Sequence, residues 1–169
     1  MIKNYQELIK IKEENGGLAL GFGCFDVLHY GHLNYVNSVL GTTSLPLAIG
    51  VLPNSYVRLT KGEGRPVNDE VSRLNKMDMV GAQAYTFLID KKGNYETYQK
   101  KFNLSGMEVL WEYPINALYE IRPTEFYYST DFTLTKEILA VFEELKIKHF
   151  AVPYTEGISS TDIIKKMQG

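Results

Sequence analysis

Residues 18–32 of the chain read Leu-Ala-Leu-Gly-Phe-Gly-Cys-Phe-Asp-Val-Leu-His-Tyr-Gly-His. The first five are apolar without alternation, which predicts a central parallel strand covered on both faces. Glycine and aspartate then break the strand, and a helix is predicted over residues 32–40. A helix that opens directly after such a strand aims free backbone N–H groups and a positive dipole end at the crevice beyond the sheet. This order of residue types predicts a site for phosphates.

Strand and helix patterns alternate along the rest of the chain. Thr133 is expected to cap a helix over residues 136–145, and Ser159 or Ser160 to cap a helix that runs to residue 167. The alternation predicts an α/β fold, namely a Rossmann-like parallel sheet with helices on both faces, whose ligands bind at the carboxyl ends of the strands. Other strands are predicted at 47–52, 85–89, 107–111, 125–129 and 149–153, and other helices at 5–14, 69–80, 95–102 and 115–121.

Length and composition restrict the class of protein. The chain has 169 residues, 44% of them hydrophobic and 22% charged, which predicts a single globular domain over residues 1–169. Neither a signal-peptide core nor an apolar run of membrane-spanning length is present, so we expect a cytoplasmic protein with no membrane partner. The lone Cys24 cannot form an intrachain disulfide. The irregular segment 91–114 is the best candidate for a family-specific insertion or a homodimer surface.

Charge is distributed unevenly along the chain. The formal net charge of −2 gives no overall support for nucleic-acid binding. Residues 54–76, however, hold five basic and three acidic side chains. The glycines beside Lys61 predict a basic loop that folds over a ligand, and a polyphosphate suits it better than a long polyanion; the alternative is a solvated charged face.

The pair His29 and His32 admits three interpretations: structural histidines, metal ligands or phosphate donors. Two histidines three positions apart could chelate a transition metal, but no Glu-x-x-His or Cys-x-x-Cys partner is present. Their place at a helix mouth behind Gly-x-Phe-Asp favours the third interpretation, donation to a phosphate.

Two stretches more than a hundred residues apart carry a resemblance to one family. Residues 23–32, Gly-Cys-Phe-Asp-Val-Leu-His-Tyr-Gly-His, resemble the Gly-x-Phe-Asp and His-x-Gly-His signature of the cytidylyltransferase-like nucleotidyltransferase superfamily. Residues 156–164, Glu-Gly-Ile-Ser-Ser-Thr-Asp-Ile-Ile, resemble its closing Ser/Thr motif, whose hydroxyls and helix N–H groups hold nucleotide phosphates. Taken alone, the second stretch could equally be a plain helix cap.

A third stretch narrows the resemblance to one group. Residues 58–68, with Arg73 beyond them, are similar to the corresponding part of bacterial heptose 1-phosphate adenylyltransferases. Val-Pro-Tyr at residues 152–154 is also closer to that group than to glycerol-3-phosphate cytidylyltransferases. The chain departs from the group at residues 128–131, where Tyr-Ser-Thr-Asp stands in place of Lys-Gly-Gly-Asp. This difference affects the prediction of the acceptor more than that of the nucleotide.

The resemblance implies a transfer of a nucleoside monophosphate from ATP or CTP to a sugar phosphate with release of pyrophosphate. ATP and a heptose 1-phosphate-like acceptor are favoured over CTP and a polyol phosphate; a non-catalytic nucleotide-binding descendant is the other alternative. Mg²⁺ is the expected cofactor, bound mainly through triphosphate oxygens and water, with Asp26 as an outer contributor. The implied catalytic residues are His29, His32, Lys61 and Arg73; the implied nucleotide-binding residues are Gly23, Cys24, Phe25, Asp26, Gly31, Asp131, Ser159, Ser160 and Thr161; the implied acceptor-binding residues are Arg65, Tyr128 and Tyr154.

Overall fold

The computed structural model describes residues 1–81, 83–90 and 112–168 of the chain. The helix and strand predicted at 95–102 and 107–111 lie outside these residues. Five strands and seven helices are described, in the order α1 (Tyr5–Glu14), β1 (Ala19–Gly23), α2 (Tyr30–Leu40), β2 (Leu47–Val51), α3 (Asn54–Lys61), α4 (Glu70–Val80), β3 (Ala84–Leu88), α5 (Glu112–Ile121), β4 (Glu125–Ser129), α6 (Lys136–Leu145), β5 (Lys148–Val152) and α7 (Ser160–Gln168).

The strands form one parallel sheet in the order β3-β2-β1-β4-β5. The chain runs outward from β1 through β2 to β3 and then crosses back to add β4 and β5 on the other side. The direction of winding therefore reverses between β1 and β4, where Ala19 lies beside Glu125. In a doubly wound sheet a ligand crevice opens outside the carboxyl ends of the strands at such a reversal.

Each face of the sheet covers its own apolar core, as the predicted Rossmann-like architecture requires. One core, here called the first core, joins the sheet to α1, α5 and α6 and includes Leu20, Phe126 and Phe142. The second core lies on the opposite face with α2 and α4 and includes Val36 and Met77. Successive residues of a strand point to opposite faces, so Phe126 enters the first core and Tyr127 the second. No helix among the described residues has both the length and the apolar character needed to cross a membrane.

Two local predictions were wrong. The basic loop predicted around Lys61 begins only at Gly62, because residues 54–61 form α3, in which Tyr56 and Val57 are buried and no glycine interrupts the helix. Thr135 rather than Thr133 caps α6, because the Thr135 side chain is the one that accepts a hydrogen bond from the N–H of Ile138. Helix α5 begins at Glu112, three residues before its predicted start at Ile115, and the remaining described elements begin and end within two residues of their predicted bounds.

Candidate functional site

A crevice of about 740 Å³ opens at the carboxyl ends of β1, β2 and β4. It is bounded by the loop after β1, the start of α2, the end of α3, the loop after β4 and the start of α7. Every predicted site residue except Asp26 and Arg73 lines it. Those residues are Gly23, Cys24, Phe25, His29, Gly31, His32, Lys61, Arg65, Tyr128, Asp131, Tyr154, Ser159, Ser160 and Thr161.

The loop after β1 is shaped by one residue in an unusual backbone conformation. Phe25 has a φ of 51°, in the left-handed region that favours glycine, and its ring lies directly over Gly23. A side chain at residue 23 would collide with that ring, so the glycine is required for the turn. The Phe25 ring is buried and meets the His32 ring edge to face, with centroids 5.3 Å apart. The turn thus sets the position of a predicted catalytic side chain.

His29 and His32 form a stacked pair at the mouth of α2. Helix α2 begins earlier than predicted, at Tyr30, so His29 occupies the N-cap position. The ring centroids lie 3.8 Å apart, and the backbone N–H of His29 donates to Nδ1 of His32 over 3.3 Å. A β-carbon at Gly31 would lie 2.9 Å from Nδ1 of His29, so the position requires glycine for this ring to fit. The structure brings both predicted histidines to one wall of the crevice.

Both histidines are held in the neutral form. Burial, together with the nearby His29 and Lys61, lowers the pKa of His32 to about 4. Burial also lowers the pKa of His29. Since Nδ1 of His32 accepts a hydrogen bond, the neutral ring carries its hydrogen on Nε2, which is then a donor. His32 is thus prepared to donate to an anion without carrying a charge of its own.

The start of α7 supplies a second set of N–H groups. The Ser159 hydroxyl accepts from the backbone N–H of Asp162 and donates to its carboxylate, which is the geometry of a helix cap. Ser160 donates instead to the carbonyl of Val27 over 3.0 Å. This bond ties α7 to the loop after β1 and places two helix N-termini at one crevice. The plain-cap interpretation therefore applies to Ser159, whereas Ser160 makes a contact that joins the two motifs.

Lys61 and Arg65 supply positive charge from the β2 side of the crevice. Lys61 ends α3 and is exposed, and Arg65 lies in the loop that follows. The Nε of Arg65 donates to Asp26 over 2.8 Å, and its side chain is only 12% exposed. Arg65 is thus fixed in place by an ion pair, whereas Lys61 projects from the end of a helix.

Asp26 does not line the crevice, and its expected contact with the nucleotide and with an outer-shell magnesium ion is not supported. Its side chain is fully buried, and its carboxylate accepts from Arg65 and from the backbone N–H groups of Val67 and Asn68. These hydrogen bonds lower the pKa of the carboxyl group in spite of its burial. Asp26 therefore anchors the loop that carries Arg65 to the loop after β1.

Arg73 is also directed into the protein rather than into the crevice. Its side chain is fully buried in α4, and its guanidinium donates to the carbonyl oxygens of Cys24 and Asn68 and to Oδ1 of Asn54. The catalytic role that the resemblance implies for Arg73 therefore lacks support. Arg73 instead holds together the loop after β1, the start of α3 and the loop before α4.

Tyr154 and Tyr128 line the crevice on the β4–β5 side. The hydroxyl of Tyr154 donates to the carbonyl of Ile158, and its backbone N–H donates to the hydroxyl of Thr130. These bonds fix the loop between β5 and α7. Tyr128 packs at a tilt against His149, with ring centroids 6.1 Å apart. The resembled group has a lysine at the position of Tyr128, so this chain has an aromatic ring where that group has a cation.

Sequence reasoning missed several lining residues. Thr155, on the loop before α7, is linked to Asn34 of α2 by a hydrogen bond of 3.4 Å, and Thr60 precedes Lys61 on α3. A signal for these positions was their closeness in sequence to predicted site residues. A larger missed set consists of apolar side chains that resemble core residues in the sequence: Phe22, Leu52, Pro114, Phe126, Phe132 and Ile138.

Comparison with known proteins identifies the family. The family model described as Cytidylyltransferase-like matches residues 20–166, and the chain belongs to that family. Among curated proteins, it is similar to the Bifunctional protein HldE of Campylobacter fetus subsp. fetus, with 24% identity over 99% of this chain. The protein of that name from Aliarcobacter butzleri is 26% identical over 99% of this chain. The chain spans 31% of the length of each of these relatives.

Solved structures show the same fold. A lipopolysaccharide core biosynthesis protein from Thermoplasma volcanium superposes with a TM-score of 0.57 at 19% identity, over 82% of this chain and 95% of that one. Pantothenate synthetase from Thermus thermophilus superposes with a TM-score of 0.61 at 13% identity, over 96% of this chain and 67% of that one. At such identities the likeness concerns the fold, and it confirms the predicted Rossmann-like architecture.

Proposed function

We propose that this chain is a nucleotidyltransferase that transfers a nucleoside monophosphate from ATP or CTP to a sugar phosphate and releases pyrophosphate. The observation that carries the proposal is the stacked pair His29 and His32, facing the start of α7 across one crevice. Two helix N-termini and two neutral imidazole rings there offer uncharged N–H donors, and Lys61 adds a cation.

The proposed reaction is an in-line attack by a phosphate oxygen of the acceptor on the α-phosphorus of the triphosphate. The new P–O bond forms as the bond to the pyrophosphate leaving group breaks. The acceptor oxygen is already anionic, so no general base is required, and catalysis reduces to positioning and charge neutralisation. His29, His32 and Lys61 would stabilise the charge on the α-phosphate, and Ser160 and Thr161 the departing pyrophosphate. Cys24 is not proposed as a nucleophile, because burial raises the pKa of its thiol.

We propose ATP rather than CTP as the donor and a heptose 1-phosphate-like compound as the acceptor. This choice is supported by the resemblance of residues 58–68 and 152–154 to the heptose group and by the similarity to HldE proteins. A CTP-dependent polyol cytidylyltransferase is the alternative within the same reaction class. The substitution of Tyr128 for the lysine of the resembled group favours a second candidate function, a non-catalytic binding protein.

Magnesium is proposed to arrive with the triphosphate. Among the described residues there is no group of three or more His, Cys, Asp or Glu side chains placed to hold a metal ion. Asp26 does not fit the outer-shell role expected of it, because its carboxylate is buried and accepts hydrogen bonds from Arg65, Val67 and Asn68. The ion is therefore assigned to the oxygens of the nucleotide and to water.

The test is pyrophosphate release by the purified chain with Mg²⁺, ATP or CTP, and a panel of phosphorylated acceptors. The panel contains heptose 1-phosphates, hexose 1-phosphates and glycerol 3-phosphate. Turnover with ATP and a sugar 1-phosphate would support the proposal, and turnover with CTP and glycerol 3-phosphate would favour the alternative. Nucleotide binding without turnover across the panel would favour the non-catalytic binding protein.

A further inference from the structure

The crevice has two halves with different chemistry. The half beside α2 and α7 carries the histidines and hydroxyls already described. The other half adjoins the first core and is lined mostly by apolar side chains, with Tyr128, Asp131 and Thr133 as polar residues at its β4 edge. We call it the apolar wall; it consists of Phe22, Leu52, Pro114, Phe126, Phe132 and Ile138.

Strand alternation places the aromatic part of this wall. Phe22 on β1 points to the same face of the sheet as Leu20, and Phe126 on β4 lies beside Leu20 in the register. The rings of Phe22 and Phe126 meet edge to face, with centroids 5.0 Å apart. Phe22 also packs edge to face against Phe87, and Phe126 packs at a tilt against Phe142. The wall is therefore a rigid surface that exists before any ligand binds.

The wall remains open to the crevice. Phe22, Leu52 and Phe132 pack against the first core but are only partly buried, in contrast to Phe126 and Ile138 beneath them. The polar residues that flank Phe132 in sequence, Asp131 and Thr133, also line the crevice but are more exposed than Phe132 and lie at the edge of the wall. A ligand group placed against the wall would lose water without gaining a hydrogen bond from it. Hydroxyl groups are disfavoured there, and carbon is favoured.

The wall borders the β2 side of the crevice, where the cations lie. Leu52 follows β2 directly, and its backbone N–H donates to the carbonyl of Gly23 over 3.0 Å. Lys61 and Arg65 come from the helix and loop that follow β2. The hydroxyls and N–H groups at the start of α7 lie at the β5 end instead. An anion bound by Lys61 and Arg65 would therefore have the apolar wall as its neighbour.

We infer, on the basis of the proposed transferase function, that the apolar wall receives the carbon skeleton of the acceptor. Within the sugar 1-phosphate class proposed above, the acceptor then presents C–H groups rather than hydroxyls to the wall, as a deoxy sugar phosphate does. Its phosphate lies near Lys61 and Arg65, and the nucleotide occupies the half beside α2 and α7. A nucleobase is a poorer occupant, because bases are distinguished by hydrogen bonds at their edges and the wall supplies none.

The experiment measures binding of two probes by calorimetry, in the presence of a saturating non-hydrolysable ATP analogue and Mg²⁺. Cyclohexyl phosphate and myo-inositol 1-phosphate share the ring and the phosphate and differ in hydroxylation. Cyclohexyl phosphate should bind at least about tenfold more tightly. Leu52→Asn should remove this preference. Leu59→Asn, the same change at a leucine that is 62% exposed on α3 and absent from the crevice, should preserve it.

Binding distinguishes this inference from the proposed function, because it requires no turnover. Equal binding of the two probes, tighter binding of myo-inositol 1-phosphate, or no binding of either would overturn the apolar acceptor site. Binding of cyclohexyl phosphate only when the ATP analogue is left out would also overturn it, since the wall would then hold part of the nucleotide. Failure of pyrophosphate release with a retained preference for cyclohexyl phosphate would reject the transferase but leave the apolar site standing.

Discussion

The backbone N–H of His29 donates to Nδ1 of His32 over 3.3 Å, and the two rings stack with centroids 3.8 Å apart. The second histidine is thus oriented by the backbone of the first. The same hydrogen bond decides which nitrogen of His32 can donate to a ligand. Substitutions at this position should therefore affect catalysis through the loss of one N–H donor.

His32→Ala should reduce kcat by about a hundredfold or more, because one preorganised donor to a developing oxyanion is worth roughly 3 kcal/mol. His32→Gln keeps a side-chain N–H and should recover part of the loss. The measurement is steady-state pyrophosphate release, with circular dichroism as the check on folding. Lys10→Ala serves as the control, since Lys10 lies on α1 outside the crevice and its side chain is 75% exposed. Retention of full activity by His32→Ala would reject the phosphate site.

Stability should depend on pH through His32. The folded pKa of about 4 lies below the ordinary value of 6.5, so between these values the unfolded chain binds more protons than the folded chain. The neutral His32 ring makes its full contribution to the free energy of unfolding above pH 6.5. This contribution is lost as the pH falls toward 4. Lowering the pH from 8 to 5 should reduce the free energy of unfolding of the wild type by about 2 kcal/mol more than that of His32→Gln. Urea unfolding at the two pH values tests this, and an equal loss in both proteins would contradict it.

Asp26→Asn should lower stability rather than alter the magnesium requirement. The substitution removes the charge from a fully buried carboxylate that pairs with Arg65, and breaking such a pair costs about 3 kcal/mol. The free energy of unfolding in urea is the measurement, with Asp131→Asn, at an exposed aspartate, as the matched control. The Mg²⁺ concentration for half-maximal activity should stay unchanged. A large increase in that concentration with normal stability would restore the metal role that the sequence suggested.

Arg73→Lys should be destabilising by about 2 kcal/mol or more. Lysine keeps the charge but cannot reproduce the planar set of donors that reaches Cys24, Asn54 and Asn68. The result is read from urea unfolding, and Arg58→Lys on the exposed side of α3 is the comparison. A raised KM for ATP with unchanged stability would show instead that Arg73 contacts the nucleotide.

The local elements could be predicted from sequence because their signals are local. The strand over 125–129 was predicted with its observed bounds, and the histidines were placed at a helix mouth because a strand, a glycine and an aspartate precede them. The roles of Asp26 and Arg73 could not be predicted in this way. Their partners are backbone groups of other loops, and a backbone N–H leaves no pattern in the sequence.

The apolar wall escaped prediction for a related reason. Phe22, Leu52 and Phe126 have the residue types and strand positions of core residues, and they do pack against the first core. Whether such a side chain also borders a crevice depends on where the neighbouring strand and helix end. That is decided by tertiary packing, which hydrophobic periodicity does not encode.

The bond from Ser160 to the carbonyl of Val27 joins positions 133 residues apart in the chain. The proposed phosphate site would therefore combine residues that are far apart in the chain, and it would be complete only after α7 has docked. Any ligand that contacts the starts of both α2 and α7 would then stabilise the docked position of α7 by its binding free energy. Occupancy of the crevice and docking of α7 would then be one coupled equilibrium.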